Sequence, residues 1–364
     1  MVSRFDNLYD NSAEIRRYNI AISKKALFAT VCGILAVIAL GLEVCLGKAD
    51  IGFIESYQII WNHITGNIAT DPSGIQKDEI VWTLRIPRAL GAFLIGATLA
   101  VCGAAMQSIM KNPLADPYTT GISSGAGFGA ILAISIGFCL IPGLTGYNAI
   151  VVNAFVFSLI PTLAIILISK IKRASSTMMI LTGLGVMYTF SSLTSLMMLV
   201  ADPQDHKTAY VWNIGTVGAI TWDNLIFIFA AAIVAVVFMQ IMAKNINILA
   251  MSDANATALG VDANATRIKI LLVTALTVAM AVSFTGSIGF VGLLAPHIVR
   301  IFVGSDNRYL IPASAAFGGM LLLYSDCIAK SVGVTGVPVG VITAAVGGPL
   351  FLYILFRHRN KIWS

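Results

Sequence analysis

Long apolar segments alternate with short polar ones along nearly the whole chain. Each apolar segment is close to the roughly 20 residues that a helix needs to cross the hydrocarbon core of a bilayer. Continuous apolar runs favour helices over the alternating pattern of a transmembrane β-barrel. The pattern therefore predicts an all-α polytopic membrane protein in which residues 26–356 form about ten transmembrane helices, at 26–46, 88–109, 117–139, 149–169, 177–200, 223–243, 268–287, 290–303, 309–329 and 338–356.

The composition agrees with a membrane protein and argues against several other classes. Of the 364 residues, 57% are hydrophobic and 11% are charged, which is outside the range of soluble globular domains. The net charge of +6 is dispersed over the segment ends, so we expect no nucleic-acid partner. The five cysteines lie in or beside apolar runs without metal-ligand spacing, so we expect no metal site, cofactor or disulfide.

A polar island at residues 248–269 separates two strongly apolar segments and predicts a pair of small helices. Ser252 or Asp253 can cap the first helix, and Gly260 can end it in the left-handed conformation. Asp262 can cap the helix that follows. An island of this length is too short to be a domain.

The apolar run after the island is too long for one span. Residues 270–299 contain no Lys, Arg, Asp or Glu, about 30 residues where one span needs about 20. Gly286, Gly289 and Gly292, followed by Pro296, are the positions where a helix would break. We therefore expect a full span, a bend and a half-length helix. A broken helix at membrane depth usually borders a cavity, and a kink that serves packing alone is the alternative.

The basic residues indicate the orientation. Most of the 23 lysines and arginines fall in the tails 1–25 and 357–364 and in the loops that ten spans would place on the same side. Since Lys and Arg are enriched on the cytoplasmic side, we expect both termini in the cytoplasm and the polar loop 47–83 outside. The sequence has no Gly-x-x-x-x-Gly-Lys-Ser/Thr phosphate loop, so we expect no ATP hydrolysis on this chain.

Six ordered motifs carry a resemblance to a known family. They are Leu84-Arg85-Ile86-Pro87-Arg88-Ala89, Gly103-Ala104-Ala105-Met106-Gln107, Asn112-Pro113-Leu114-Ala115-Asp116-Pro117, Ala258-Leu259-Gly260-Val261, Gly286-Ser287-Ile288-Gly289-Phe290-Val291-Gly292-Leu293 and Pro296-His297-Ile298-Val299-Arg300. In these motifs the chain resembles the FecCD-type permease subunits of ABC importers for iron-siderophores, haem and vitamin B12. The resemblance covers about residues 80–356 and matches the N-terminal quarter only by position.

The resemblance implies a type II ABC importer permease fold in the cytoplasmic (inner) membrane of a bacterium. It also implies four kinds of partner: a second permease copy or paralogue, two cytoplasmic ATPase subunits, an external substrate-binding protein and a metal-chelate substrate. An iron-siderophore complex is the expected cargo, with haem or cobalamin as the alternatives. The ATPases would dock on coupling helices at 248–267, through Ser252, Asp253, Ala258, Leu259, Gly260 and Asp262.

Arg85 and Arg88 lie on the expected outer face, against the trend of the other basic residues. They could extend to lipid headgroups, or they could bind carboxylates on an external partner, because the guanidinium is a planar fork that matches a carboxylate. The resemblance implies that the binding protein docks on both arginines. Lys330 is a further candidate contact, at a position where family members often have Arg.

A further group of residues could form the translocation pathway or its gate: Gln107, Asn112, Met197, Met198, Gly289 and Pro296. The two polar members lie near a cytoplasmic helix end, where a simple interhelical hydrogen bond would explain them as well. The methionines could line a path for a bulky ligand, and they could equally fill a helix interface.

The rival prediction from another class is an ion-coupled secondary transporter. Such a protein needs acidic residues inside the membrane. The predicted span interiors are nearly free of them. Asp326 is the one carboxylate that could lie at depth, and a solvated or capping role at the edge of the span is the alternative. We therefore favour the ABC permease.

Overall fold

The computed structural model describes residues 2–172, 176–333 and 336–357, and these ranges form a bundle of helices without a β-strand. The α-helices are α1 Val2–Cys45, α2 Phe53–Thr65, α3 Pro72–Asp78, α4 Ile86–Met110, α5 Ile122–Ile136, α6 Gly146–Lys172, α7 Ser176–Val200, α8 Pro203–Ile214, α9 Trp222–Met251, α10 Asp253–Ala258, α11 Ala263–Thr285, α12 Val291–Val303, α13 Asn307–Ser331 and α14 Val339–Arg357. A π-helix, Glu79–Arg85, joins α3 to α4, and a 3₁₀ turn, Tyr118–Thr120, precedes α5.

The predicted fold class is confirmed. Within the described ranges, seven helical segments are long and apolar enough to cross a membrane: part of α1, the continuous segment from α3 to α4, and α6, α7, α9, α11 and α13. Three shorter apolar helices, α5, α12 and α14, accompany them. These helices correspond in order to the predicted spans. The tail 1–25 is helical from Val2 and continuous with the first span, whereas residues 358–364 of the C-terminal tail lie outside the described residues.

The structure departs from the predicted boundaries in the stretch 47–83. The sequence predicts a loop there, and the structure contains α2, α3 and the π-helix. Asp71 starts α3 by accepting a hydrogen bond from Gly74 N at 2.9 Å, and the proline after it suits the first helical turn. Hydropathy alone does not predict α3, because the helix is short and mostly polar.

Two other boundaries also move. The third predicted span is shorter than 117–139, because Gly121 and Gly137 flank α5 with φ of 91° and 65° and end the helix at both sides. In contrast, α9 continues through the first residues of the polar island to Met251. The second small helix predicted in the island is the first part of α11.

Helix α4 is the centre of the bundle and packs against α9, α11, α12 and α13. In its most apolar stretch 83% of the residues are buried, against 11% in α7. Small residues permit the close packing of α4. The carbonyl group of Gly292 in α12 occupies the place that a Cβ on Gly103 would take.

Replacing Gly103 by alanine is expected to lower the free energy of unfolding by about 1–3 kcal/mol, because the added methyl group forces α4 and α12 apart. Thermal unfolding of the purified protein in mild detergent would measure the change. Gly33→Ala in α1 is the matched control, since nothing lies within 4 Å of its added Cβ. Equal effects of the two substitutions would contradict the close contact.

Candidate functional site

The two ends of α4 each carry a cluster of charged residues. The Arg88 end of the bundle contains the start of α4, the end of α1 and the end of α13. The Asp253 end contains the end of α4, α10 and the start of α11. The sequence placed candidate residues at both ends, and the structure shows what each one contacts.

The Arg88 cluster consists of Glu43, Arg88, Asp326 and Lys330. Arg88 donates from Nε and Nη2 to the two carboxylate oxygens of Asp326, each at 2.7 Å. Lys330 forms an ion pair with the carboxylate of Glu43 and donates to its main-chain oxygen at 3.2 Å. Both carboxylates are fully buried. Because two cations balance two anions, the cluster avoids the cost of an unpaired charge in the apolar interior.

Arg85 has a different environment from the one predicted. Its guanidinium donates to the main-chain oxygens of Val44 and Cys45 at 3.0 Å and of Ala49 at 3.1 Å. Arg85 is buried, so it caps the C-terminal end of α1, where a cation suits the helix dipole. Docking stays a prediction for Arg85, Arg88 and Lys330.

A cavity of about 500 Å³ opens beside the Arg88 cluster. Four basic residues line it: Lys48, Arg85, Arg88 and Lys330. The acidic members of the cluster are buried behind them. The cavity wall is therefore basic, and such a wall raises the local concentration of anionic groups.

Glu43 is not among the residues that the sequence pattern indicates. The prediction that the span interiors are nearly free of acids is wrong for α1, where Glu43 is fully buried. The available signal was a single acidic residue inside an otherwise apolar run. Asp326 was expected at depth, and the structure pairs it with Arg88.

At the opposite end, Asp253 joins three helices. Its carboxylate accepts hydrogen bonds from Arg267 Nη1 and Nη2 at 2.8 and 2.7 Å and from Lys111 Nζ at 3.0 Å. Arg267 is buried and also donates from Nε to the main-chain oxygen of Ile109 at 3.3 Å. The Asp253 cluster, which we define as Lys111, Asp253 and Arg267, thus connects α10 to both α11 and α4.

Asp253 carries the negative charge of this cluster. Hydrogen bonds from Arg267, and further those from Lys111, hold the pKa of Asp253 well below its usual range. The carboxylate is therefore ionised at physiological pH.

Local capping shapes α10 and the start of α11 as the sequence predicted. Ser252 Oγ accepts from Asn255 N at 2.9 Å, and Asp262 Oδ1 accepts from Ala265 N at 2.9 Å. Gly260 has a φ of 76° and follows the end of α10 at Ala258. Leu259 is exposed beside it. These residues give α10 a short, outward-facing surface at the Asp253 end.

The predicted break lies between α11 and α12. Gly286 ends α11 with φ 70°, and Phe290 starts α12 with φ 68°. A positive φ is costly for a non-glycine residue, so the fold holds Phe290 in place against its preference. Gly289 faces open space, and Pro296 lies buried within α12.

Gln107 and Asn112 make local contacts. Gln107 donates to the main-chain oxygen of Leu293 at 3.1 Å and accepts from Arg300 Nη1 at 3.1 Å, so it joins α4 to the half-length helix α12. Asn112 Oδ1 accepts from Leu114 N at 2.9 Å and stabilises the turn after α4. Met197 and Met198 are half-buried on α7. A gating role stays a prediction for all four.

Known proteins match most of the chain. Residues 34–357 match the FecCD transport family. The hemin transport system permease protein HmuU of Yersinia pestis is 32% identical over 319 residues, covering 87% of this chain and 92% of the relative. The cobalamin import system permease protein BtuC of Halobacterium salinarum is 36% identical over 283 residues, covering 77% and 74%.

A solved structure agrees with these sequence matches. It is an inward-facing conformation of an ABC transporter of the metal-chelate type. It superposes with a TM-score of 0.77 at 26% identity and covers 90% of this chain and 98% of the other. The chain therefore belongs to the FecCD transport family and is the permease subunit of a type II ABC importer.

Proposed function

We propose that this permease imports a metal chelate, with an iron-siderophore complex as the expected cargo. The relatives described above are named for hemin and cobalamin, and the solved structure is of the metal-chelate type. Each of these names refers to a metal held in an organic ligand. The observation that carries the proposal is the arrangement of α4, which has a basic cavity at one end and the attachment of α10 at the other.

In the proposed orientation, the Asp253 end and both chain termini lie in the cytoplasm of a bacterium, and the Arg88 end lies outside its cytoplasmic membrane. The positive-inside rule supports this choice, because Lys111, Arg267 and Lys269 lie at the Asp253 end. The external substrate-binding protein would then approach the basic cavity, and the two ATPase subunits would approach α10.

The binding protein would dock through carboxylates that enter the basic cavity. Arg88 uses Nε and Nη2 for Asp326, and its Nη1 lies beside Gly218, another residue of the cavity wall. A carboxylate in the cavity would meet Arg88, Lys330 and the exposed Lys48. Arg85 would act indirectly, since it fixes the end of α1 that forms part of the wall.

The translocation path would lie between this chain and a second permease copy or paralogue. Support comes from α7, whose apolar side chains are largely exposed and which contains Met197 and Met198. Flexible thioether side chains suit a path that must pass a bulky ligand. Movement of α10 by the ATPases would shift the spans between outward-open and inward-open states, as a population shift driven by differential binding.

The test of this proposal is purification of the tagged protein from its native membrane in mild detergent, with mass spectrometry of the co-purifying proteins and an ATPase assay. We expect an ATPase subunit, a second permease that is either a copy of this chain or a paralogue, and nucleotide hydrolysis that is lost when residues 251–266 are replaced. The associated binding protein would then be screened with a ferric siderophore, hemin and cobalamin. Purification of a single polypeptide without ATP hydrolysis would contradict the proposal.

The buried acids Glu43 and Asp326 are the observation that would favour an ion-coupled secondary transporter. Each of them is paired with a cation, which leaves no free carboxylate in this cluster to carry an ion. Uptake measured with a protonophore separates the two mechanisms. We expect uptake to continue as long as the cell retains ATP, and its immediate loss at constant ATP would favour the secondary transporter.

A further inference from the structure

Helix α2 carries an apolar face that is largely exposed in the described part of the chain. Its exposed apolar residues are Phe53, Ile54, Tyr57, Trp61 and Ile64. They recur at spacings of three and four residues and therefore form one stripe along the helix. Ile54 and Trp61 are 73% and 67% exposed. We call this stripe the α2 apolar face.

The orientation of α2 is fixed by contacts on its other side. Ser56 is buried, and Ile59 and Ile60 pack against the core of the bundle. Lys77 of α3 donates to Glu55 at 2.6 Å, and His63 lies 2.8 Å from the carboxylate of Asp78. The helix therefore cannot rotate to bury its apolar face without breaking these contacts.

The α2 apolar face lies beside the last turns of α1, at the end of the apolar segment Ile22–Cys45. The Tyr57 hydroxyl packs directly against Gly41 and occupies the place that a Cβ would take. Gly41 is four residues before the end of α1 at Cys45, a distance of about 6 Å along the helix. Val37 and Leu42, on the same part of α1, also expose apolar side chains. The exposed surface of the span thus continues onto α2.

We propose that the α2 apolar face lies in the lipid interface of the bilayer at the Arg88 end, with acyl chains against its aliphatic residues. Tyr57 and Trp61 fit this depth, because aromatic rings with one polar group are enriched where hydrocarbon meets headgroups. Gln58 and Asn62 flank the stripe and suit the headgroup side. Lipid is favoured over a protein partner, because the face continues the apolar surface of a span and carries no charged residue.

This contact would have a consequence for the basic cavity. Helix α2 is attached to α3 through the Lys77–Glu55 and His63–Asp78 pairs, and α3 leads through the π-helix into Arg88. A helix held at the lipid interface would fix the height of the cavity above the membrane. The α2 apolar face is separate from the proposed docking and transport surfaces, so its contact with lipid does not depend on what the protein transports.

Cysteine labelling in liposomes tests the inference with a matched pair. Trp61 and Asn62 are adjacent and both exposed. Trp61 belongs to the α2 apolar face and Asn62 flanks it, so only Trp61→Cys places its thiol where lipid is expected. We expect a membrane-impermeant maleimide to label Cys at position 61 about tenfold more slowly than at position 62, because lipid shields the first thiol from the aqueous reagent. Labelling of the wild-type protein gives the background from the native thiols, of which Cys45 and Cys139 are partly exposed.

Protein dilution distinguishes lipid from a second copy of the chain. Protection of position 61 that persists at about one copy per vesicle supports lipid cover. Equal labelling rates at the two positions, or protection that appears only at high protein density, would overturn the inference. As a second measurement, lipids brominated near the headgroup should quench the emission of the wild type more than that of Trp61→Phe, and an equal loss would also overturn it.

Discussion

Replacing Arg88 by alanine is expected to lower the free energy of unfolding by about 3–5 kcal/mol, the range for breaking a buried ion pair by removing one partner. The substitution leaves Asp326 fully buried without its two hydrogen bonds. It also leaves two carboxylates in the Arg88 cluster against one cation. Denaturant unfolding of the purified protein in mild detergent would measure the loss.

Two further variants make this prediction specific. Lys48→Ala is the matched control, because Lys48 is an exposed cation that lines the same cavity and should be replaceable without measurable destabilisation. The double variant Arg88→Met with Asp326→Leu removes one charge of each sign and leaves the Glu43–Lys330 pair balanced. It should recover most of the stability. A double variant as unstable as the two single losses combined would show that the charges do not act as a pair.

Replacing Asp253 by asparagine is expected to reduce ATP-driven transport about tenfold or more while the protein stays folded. The change removes the counter-charge of the buried Arg267 and weakens the attachment of α10 to α4 and α11. Leaving a buried polar group without its partner costs about 1–3 kcal/mol, and a charged group more; 1.4 kcal/mol corresponds to a factor of ten. Binding-protein-stimulated ATP hydrolysis by the assembled complex, measured together with the unfolding temperature of the permease, would show the effect.

Asp253→Glu retains the charge and should keep most of the activity. Asn255→Ala, on the exposed surface of the same helix, tests whether any change in α10 has the same effect and should leave transport close to wild type. The outcome that contradicts the coupling role is full stimulation in Asp253→Asn at unchanged stability. Loss of stability without a further loss of stimulation per folded molecule would indicate a purely structural role.

The sequence predicted the parts of this structure that depend on solvent and on near neighbours. Hydropathy located the spans because lipid requires apolar residues at every exposed position of a spanning helix. Ser252, Gly260 and Asp262 were identifiable because capping is decided within a few residues. The break at Gly286 was predictable for the same reason.

The sequence could not reveal contacts between distant segments. Arg85 was predicted to face an external partner, and its actual acceptors are about 40 residues earlier in the chain, at the end of α1. Glu43 meets Lys330 across nearly the whole chain, and nothing local to either residue indicates the other. The amphipathic stripe of α2 was present in the sequence, but it lies in a stretch that is polar on average.

The central position of α4 implies reciprocity between its two ends. Its 25 residues span about 37 Å, and the helix carries Arg88 in its first turn while Ile109, in its last, accepts a hydrogen bond from Arg267. Close packing along its length leaves little room for one end to move without the other. A protein bound at the Arg88 end could raise the affinity of the chain for another protein at the Asp253 end. Thermodynamic linkage then requires the second protein to raise the affinity for the first by the same factor. Binding of nucleotide to an ATPase at the Asp253 end would then be measurable as a change in the affinity of the Arg88 end for its own partner, on the opposite side of the membrane.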